Sequence, residues 1–160
     1  MKRITSRKNR LFKTIIRFEE RHKDKKLITA ATRRLRRAIA FSMRKKRKIK
    51  IVFVCDSGMG YSNQLRGGFR LFAKKKGISK EFDVETFAIR DIDAEKLRKK
   101  ALEELMKANV LICAHPEFEE ALYGKIKANC DIDEYIKMRE TIKNKIIVMN
   151  VGSMKKSLSL

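Results

Sequence analysis

A chain of 160 residues with 43% hydrophobic and 8% aromatic side chains has the material for a packed domain, which excludes wholesale disorder. Its formal charge of +22 is lopsided: residues 1–50 hold 21 basic and 3 acidic side chains, whereas residues 51–160 hold 20 and 16. No apolar run approaches the ~20 residues that span a bilayer, no apolar signal segment follows the charged start, and Cys55, Cys113 and Cys130 lack the short paired spacing of a zinc ribbon or disulfide framework.

Such thiols fit a reducing compartment, most simply the cytoplasm, and neither a metal nor a cofactor is expected. The first third reads as a basic helical hairpin. One stripe comprises Leu11, Phe12, Ile15, Ile16 and Phe18, and a second comprises Leu27, Ile28, Ala31, Leu35, Ala38 and Ile39. The run Arg44-Lys45-Lys46-Arg47-Lys48 closes it, so residues 1–48 are predicted to be a basic arm and linker, residues 49–152 an α/β domain and residues 153–160 a tail. The β-branched run at residues 49–54 predicts a buried strand. A loop follows, then a helix over residues 62–76 with Leu65, Phe69, Phe72 and Ala73 on one face and Gly77 as its stop. Residues 83–89 alternate as a second strand, and residues 94–107 read as a helix in which Asp91 and Asp93 supply the turn and the N-cap. Residues 110–114 form a third strand, residues 117–128 a helix, residues 129–144 a polar or helical stretch, and residues 145–149 the last strand. Strands alternating with helices indicate a small parallel four-stranded sheet, flavodoxin-like, in the order 2-1-3-4.

In such a sheet the ligand crevice lies at the carboxyl ends of the strands, beside strand 1. Cys55-Asp56-Ser57-Gly58-Met59-Gly60-Tyr61-Ser62 occupies that position. Gly58 and Gly60 allow the backbone to curl with its N–H groups inward as an anion nest. The start of the next helix adds donors and partial positive charge, and Ser62 can cap that helix or donate to a phosphate. A cysteine facing such donors favours the thiolate and is suited to accept a phosphoryl group whose charge the donors spread. The loop lacks the Gly-Lys-Ser/Thr of a Walker A motif and the third glycine of a dinucleotide fingerprint.

The stretch from Cys55 to Ser62 resembles the Cys-Asp-Ala-Gly-Met-Gly-Ser-Ser type of loop in the IIB component of the bacterial sugar phosphotransferase system, mannitol-type branch. Weaker similarity runs through Phe87-Ala88-Ile89, Ile92 and Ala94, through residues 108–115, and through Val148-Met149-Asn150. The resemblance implies that Cys55 is phosphorylated by a phosphohistidine donor, the IIA component. It also implies that Cys55 passes the group to a sugar held by a membrane IIC component. Tyr61 departs from the small residue usual there, and the basic arm has no counterpart in the family. The low-molecular-weight tyrosine phosphatases share this superfold and are the alternative. Their loop carries Arg before the Ser, where this chain has Tyr61, and their Asp-Pro acid is replaced by Asn150-Val151-Gly152. Arg66 and Arg70 lie beyond the loop on the helix. The third alternative is a non-catalytic phosphate or nucleic-acid binding module.

His115 follows strand 3 on the same edge of the sheet, as an accessory to phosphoryl handling or as a plain strand exit. Asp56 either tunes Cys55 or forms a turn. Cys113, Cys130 and the methionines read as core. The arm suits nucleic-acid phosphates without base specificity, an anionic membrane surface, or packing against the domain with its charge outward.

Overall fold

The computed structural model describes residues 44, 48–57, 61–75 and 77–148. The hairpin expected over residues 1–48 and the tail at residues 153–160 fall almost wholly outside these residues, as do Gly58, Met59 and Gly60.

Four parallel strands form one sheet in the order β2-β1-β3-β4, as the alternation of short apolar runs and helices predicts. They are β1 (Ile49–Cys55), β2 (Phe82–Ala88), β3 (Val110–Cys113) and β4 (Ile146–Val148). The helices are α1 (Tyr61–Lys75), α2 (Glu95–Lys107), α3 (Pro116–Asn129) and α4 (Ile132–Lys143). Strand β1 is central because it is apolar on both faces, and its register sets Val54 beside Phe87 of β2 and Cys113 of β3. Strand β2 alternates instead, with Asp83 and Glu85 exposed, as suits an edge.

Two cores flank the sheet. Beneath α1, Ile49, Ile51 and Phe53 pack with Leu65, Phe69, Phe72 and Phe82. Phe69 meets Phe82 edge-on with ring centres 5.1 Å apart, a geometry worth ~1 kcal/mol beyond burial. On the other face, Val52 and Val54 pack with Leu105 of α2, Leu122 and Ile126 of α3, and Met138 and Ile142 of α4.

Helix α1 stops where expected. Gly77 has φ 66°, its N–H donates to Lys74 O at 3.0 Å, and Ile78 N–H donates to Ala73 O at 3.0 Å. These two bonds satisfy the last carbonyls of α1. Three expectations are corrected. Asp93 does not cap α2: the N-cap is Ala94, which makes no side-chain cap bond, and the Asp93 carboxylate instead receives Lys125 and Asn129 of α3. The Lys125 hydrogen bond holds that carboxyl below its ordinary pKa, against its partial desolvation. Met106 is 39% exposed, so it is no core residue, unlike Met138. The last strand begins at Ile146, one residue later than expected, because Lys145 turns inward. Its Nζ donates to the carbonyls of Leu105, Met106 and Ala108 at 2.6, 3.0 and 2.8 Å and closes the end of α2.

Candidate functional site

Alternation along β1 decides where its last side chain goes. Residues 49, 51 and 53 face α1 while residues 52 and 54 face the other core, so Cys55 lies on the α1 side at the carboxyl edge of the sheet. Helix α1 brings its own first turn to the same place. Leu65, Phe69 and Phe72 form its buried stripe, and the stripe continues three residues upstream to Ser62.

Ser62 Oγ lies 2.8 Å from Cys55 Sγ, a hydrogen bond in which either atom can donate. Both residues are buried, Ser62 to 0% exposure and Cys55 to 2%, yet neither apolar cluster contains Cys55. The structure thus joins the first and last residues of the sequence motif. Asp56 is exposed, and its carbonyl accepts the Arg90 N–H at 3.2 Å, which ties the start of the loop to the exit of β2. Ser57 is half-buried beside it. The side chain of Tyr61 and the nest expected at Gly58, Met59 and Gly60 lie outside the described residues.

The two thiols nearest the edge differ in kind. Cys113 sits on β3 beside Val54 and belongs to the core opposite α1. Burial, with smaller contributions from the charges of Glu119 and Cys55, pushes the Cys113 thiol far up, so it stays neutral. Cys130, half-buried at the end of α3, is raised by burial and by Glu134 and Asp131.

His115 follows β3 on the carboxyl edge that carries Cys55. It caps α3: its Nδ1 accepts the Glu117 N–H at 3.2 Å, and Pro116 fills the first helical position. Arg70 donates to Val84 O at 3.0 Å and Arg66 to Asn63 Oδ1 at 2.8 Å. A groove of about 500 Å³ lies on the opposite face between β2 and α2, lined by Glu85, Phe87, Leu97 and Lys100 among others, with none of residues 55–62 in its wall. Among the described residues, no three His, Cys, Asp or Glu side chains gather as metal ligands would, and no helix is long and apolar enough to cross a membrane.

Sequence reading missed the pairing of Cys55 with Ser62, although the signal was present: Ser62 stands three residues before Leu65, on the stripe that must face the sheet. Fold and edge together define a doubly wound α/β domain with a cysteine and a serine hydroxyl at its switch point. No family model matches the chain, and comparison with curated proteins and with solved structures likewise gave no match.

Proposed function

We propose that this domain accepts a phosphoryl group on Cys55 Sγ and passes it on, as a IIB-like phosphocarrier does. One observation carries the reading: a hydroxyl 2.8 Å from a sulfur at the carboxyl end of β1, under the first turn of α1. A hydroxyl that donates to sulfur stabilises the thiolate over the thiol, and the helix start favours the incoming anion. In the step itself the thiolate attacks phosphorus of a phosphohistidine, the S–P bond forms and the P–N bond breaks. The departing imidazole takes up a proton. In the second transfer a sugar hydroxyl attacks phosphorus, the O–P bond forms as the S–P bond breaks, the hydroxyl proton leaves to water and the thiolate is regenerated. Residues 56–62 would cradle the three equatorial oxygens.

A IIA-like phosphohistidine protein is the donor this chemistry calls for, and a membrane IIC-like component the acceptor site. A cytoplasmic setting follows from such partners. The hydrolase alternative is weaker, since Arg66 and Arg70 spend guanidinium hydrogen bonds on Asn63 and Val84 and a phosphatase needs a bidentate clamp on its phosphate. Residues 1–48 would hold nucleic-acid phosphates or an anionic surface beside this activity.

The test is incubation of the full chain with phosphoramidate or a phosphohistidine carrier, followed by intact-mass analysis. An acid-labile gain of about 80 Da, one phosphoryl group, that disappears in Cys55→Ser is expected. A chain that stays unmodified under both donors overturns the reading. Steady hydrolysis of an aryl phosphate lost in Cys55→Ala would establish the phosphatase instead.

A further inference from the structure

Strand β2 is an edge of the sheet, and the hydrogen bonds around β1 identify which of its backbone groups face outward. The Lys50 N–H donates to Asn109 Oδ1 at 2.7 Å, and the Lys50 carbonyl accepts the Asn109 N–H at 2.9 Å. Lys50 therefore addresses β3, and by alternation Ile51 and Phe53 address β2. Their register partners are Val84 and Thr86. In a parallel ladder a residue bonds to the two neighbours of its partner, so Asp83, Glu85 and Phe87 face β1. Val84, Thr86 and Ala88 face outward. The amino half of this outer edge is already closed. Arg70 of α1 reaches over it and donates to Val84 O at 3.0 Å, and the Phe82 N–H donates to Ser79 O. The N–H groups of Thr86 and Ala88 and the Thr86 carbonyl have no partner among the described residues.

The groove of about 500 Å³ opens beside this same half of the strand, with Glu85, Thr86, Phe87 and Ala88 along its β2 side. Leu97 of α2 lines the facing wall and is 47% exposed, so the wall keeps apolar surface for an occupant. Lys50 also lines the groove but is spent on Glu104 at 2.8 Å, and Lys100 stands on α2, across the groove from β2. Glu85 and Asp91 make no ion pair among the described residues. Strand β2 itself carries two acids and no cation.

We propose that the carboxyl half of β2 takes an added strand, an extended segment of a partner protein in which cationic side chains flank an apolar one at every second position. Its carbonyls accept from the Thr86 and Ala88 N–H groups, and one of its N–H groups donates to Thr86 O. Side chains of the added strand alternate, so those on the α2 side stand beside Glu85 and Phe87. One cation pairs with Glu85, and the apolar side chain leans over Phe87 towards Leu97. The second cation falls on the side of Asp91. The same acids repel an acidic segment, and Arg70 sets where the pairing stops.

The test is an NMR titration of the full chain with the blocked peptide Thr-Lys-Thr-Leu-Thr-Lys-Thr, whose Lys-Leu-Lys face is the same in either direction. Saturable shifts at Thr86, Phe87 and Ala88 and at the Leu97 methyls are expected, with slower hydrogen exchange at the Thr86 and Ala88 N–H groups. The peptide with Glu in place of Lys should not bind there, and neither should one N-methylated along its central three residues. Glu85→Gln should weaken binding about threefold, and because Glu85 is exposed the change leaves the fold intact. No shift at residues 85–88 in millimolar peptide, equal shifts with the Glu peptide, or an unchanged affinity in Glu85→Gln would overturn the proposal. A wild-type footprint that takes in the Val84 carbonyl would do so as well. Equal shifts with the N-methylated peptide would also overturn it, since the groove would then take side chains without strand pairing.

Discussion

At the scale of single residues, the pairing of Cys55 with Ser62 sets the chemistry. A hydrogen bond to a charged group contributes about 1.5 kcal/mol or more. Ser62→Ala should therefore slow alkylation of Cys55 by iodoacetamide about tenfold at neutral pH, and shift the midpoint of its pH–rate profile upward by about one unit. Equal rates would show that the hydroxyl does not stabilise the thiolate, and a faster variant that it accepts the thiol proton rather than donating its own. His115 separates two roles through two variants. His115→Asn keeps a side-chain oxygen that can cap α3, whereas His115→Ala removes the cap and should cost about 1 kcal/mol in urea unfolding. If both variants accept the phosphoryl group at the wild-type rate, the imidazole is a cap and nothing more. The place of Cys55 was legible because a β-branched run ends in it and a parallel sheet exposes its strand ends. The cap was not, since His-Pro at a strand exit reads equally as ligand and as punctuation until the Glu117 N–H is seen to point at Nδ1.

At the scale of elements, the termini of helices hold most of the tunable stability. Gly77 has φ 66° with nothing within 4 Å of an added Cβ, so Gly77→Ala meets backbone strain alone and should cost about 1 kcal/mol. Lys145 poses the opposite case, a cation used as a cap. Burial draws its pKa from 10.5 to about 8, so the unfolded chain binds more protons than the folded one between those values. On this account stability rises with pH across that window, by at most about 1.4 kcal/mol per unit. The gap between wild type and Lys145→Met in urea midpoint should widen in favour of the wild type from pH 8 to 10.5. A constant gap would mean that the three carbonyls offset burial completely. Helix α4 shows why part of the fold was hard to read. Asp131 caps it, accepting the Glu134 N–H at 2.9 Å, and Met138 and Ile142 face inward, but Ile132 and Ile136 are 62% and 52% exposed. Apolar residues on both sides blur the helical period, so the sequence suggests only a polar or helical stretch. Asp93 misled for a related reason: an acid just before a helix signals a cap, and the Lys125 that draws it away lies in the following helix.

At the scale of the whole molecule, charge is segregated from the candidate chemistry. The excess of 18 positive charges in residues 1–50 leaves the remainder near balance. Strand order was legible from pattern and handedness, because every crossover is helical, with two helices in the last, and takes only one hand. If the basic segment binds duplex DNA, binding should be independent of sequence and fall steeply between about 50 and 200 mM salt. Replacing Arg33, Arg34, Arg36 and Arg37 with Gln should flatten the salt slope by about 0.9 for each phosphate no longer neutralised. A slope unchanged by the four substitutions would place the DNA-binding surface elsewhere on the chain.

The opposed faces of neighbouring strands have a consequence for oxidative stress. Cys55 and Cys113 stand on adjacent strands but project from opposite sides of the sheet, and diverging Cβ vectors do not allow a disulfide. A sulfenic acid formed at Cys55 by peroxide finds no resolving thiol on its own side among the described residues. It should add oxygen or be captured by glutathione, so that recovery of the site depends on reductants supplied from outside the protein.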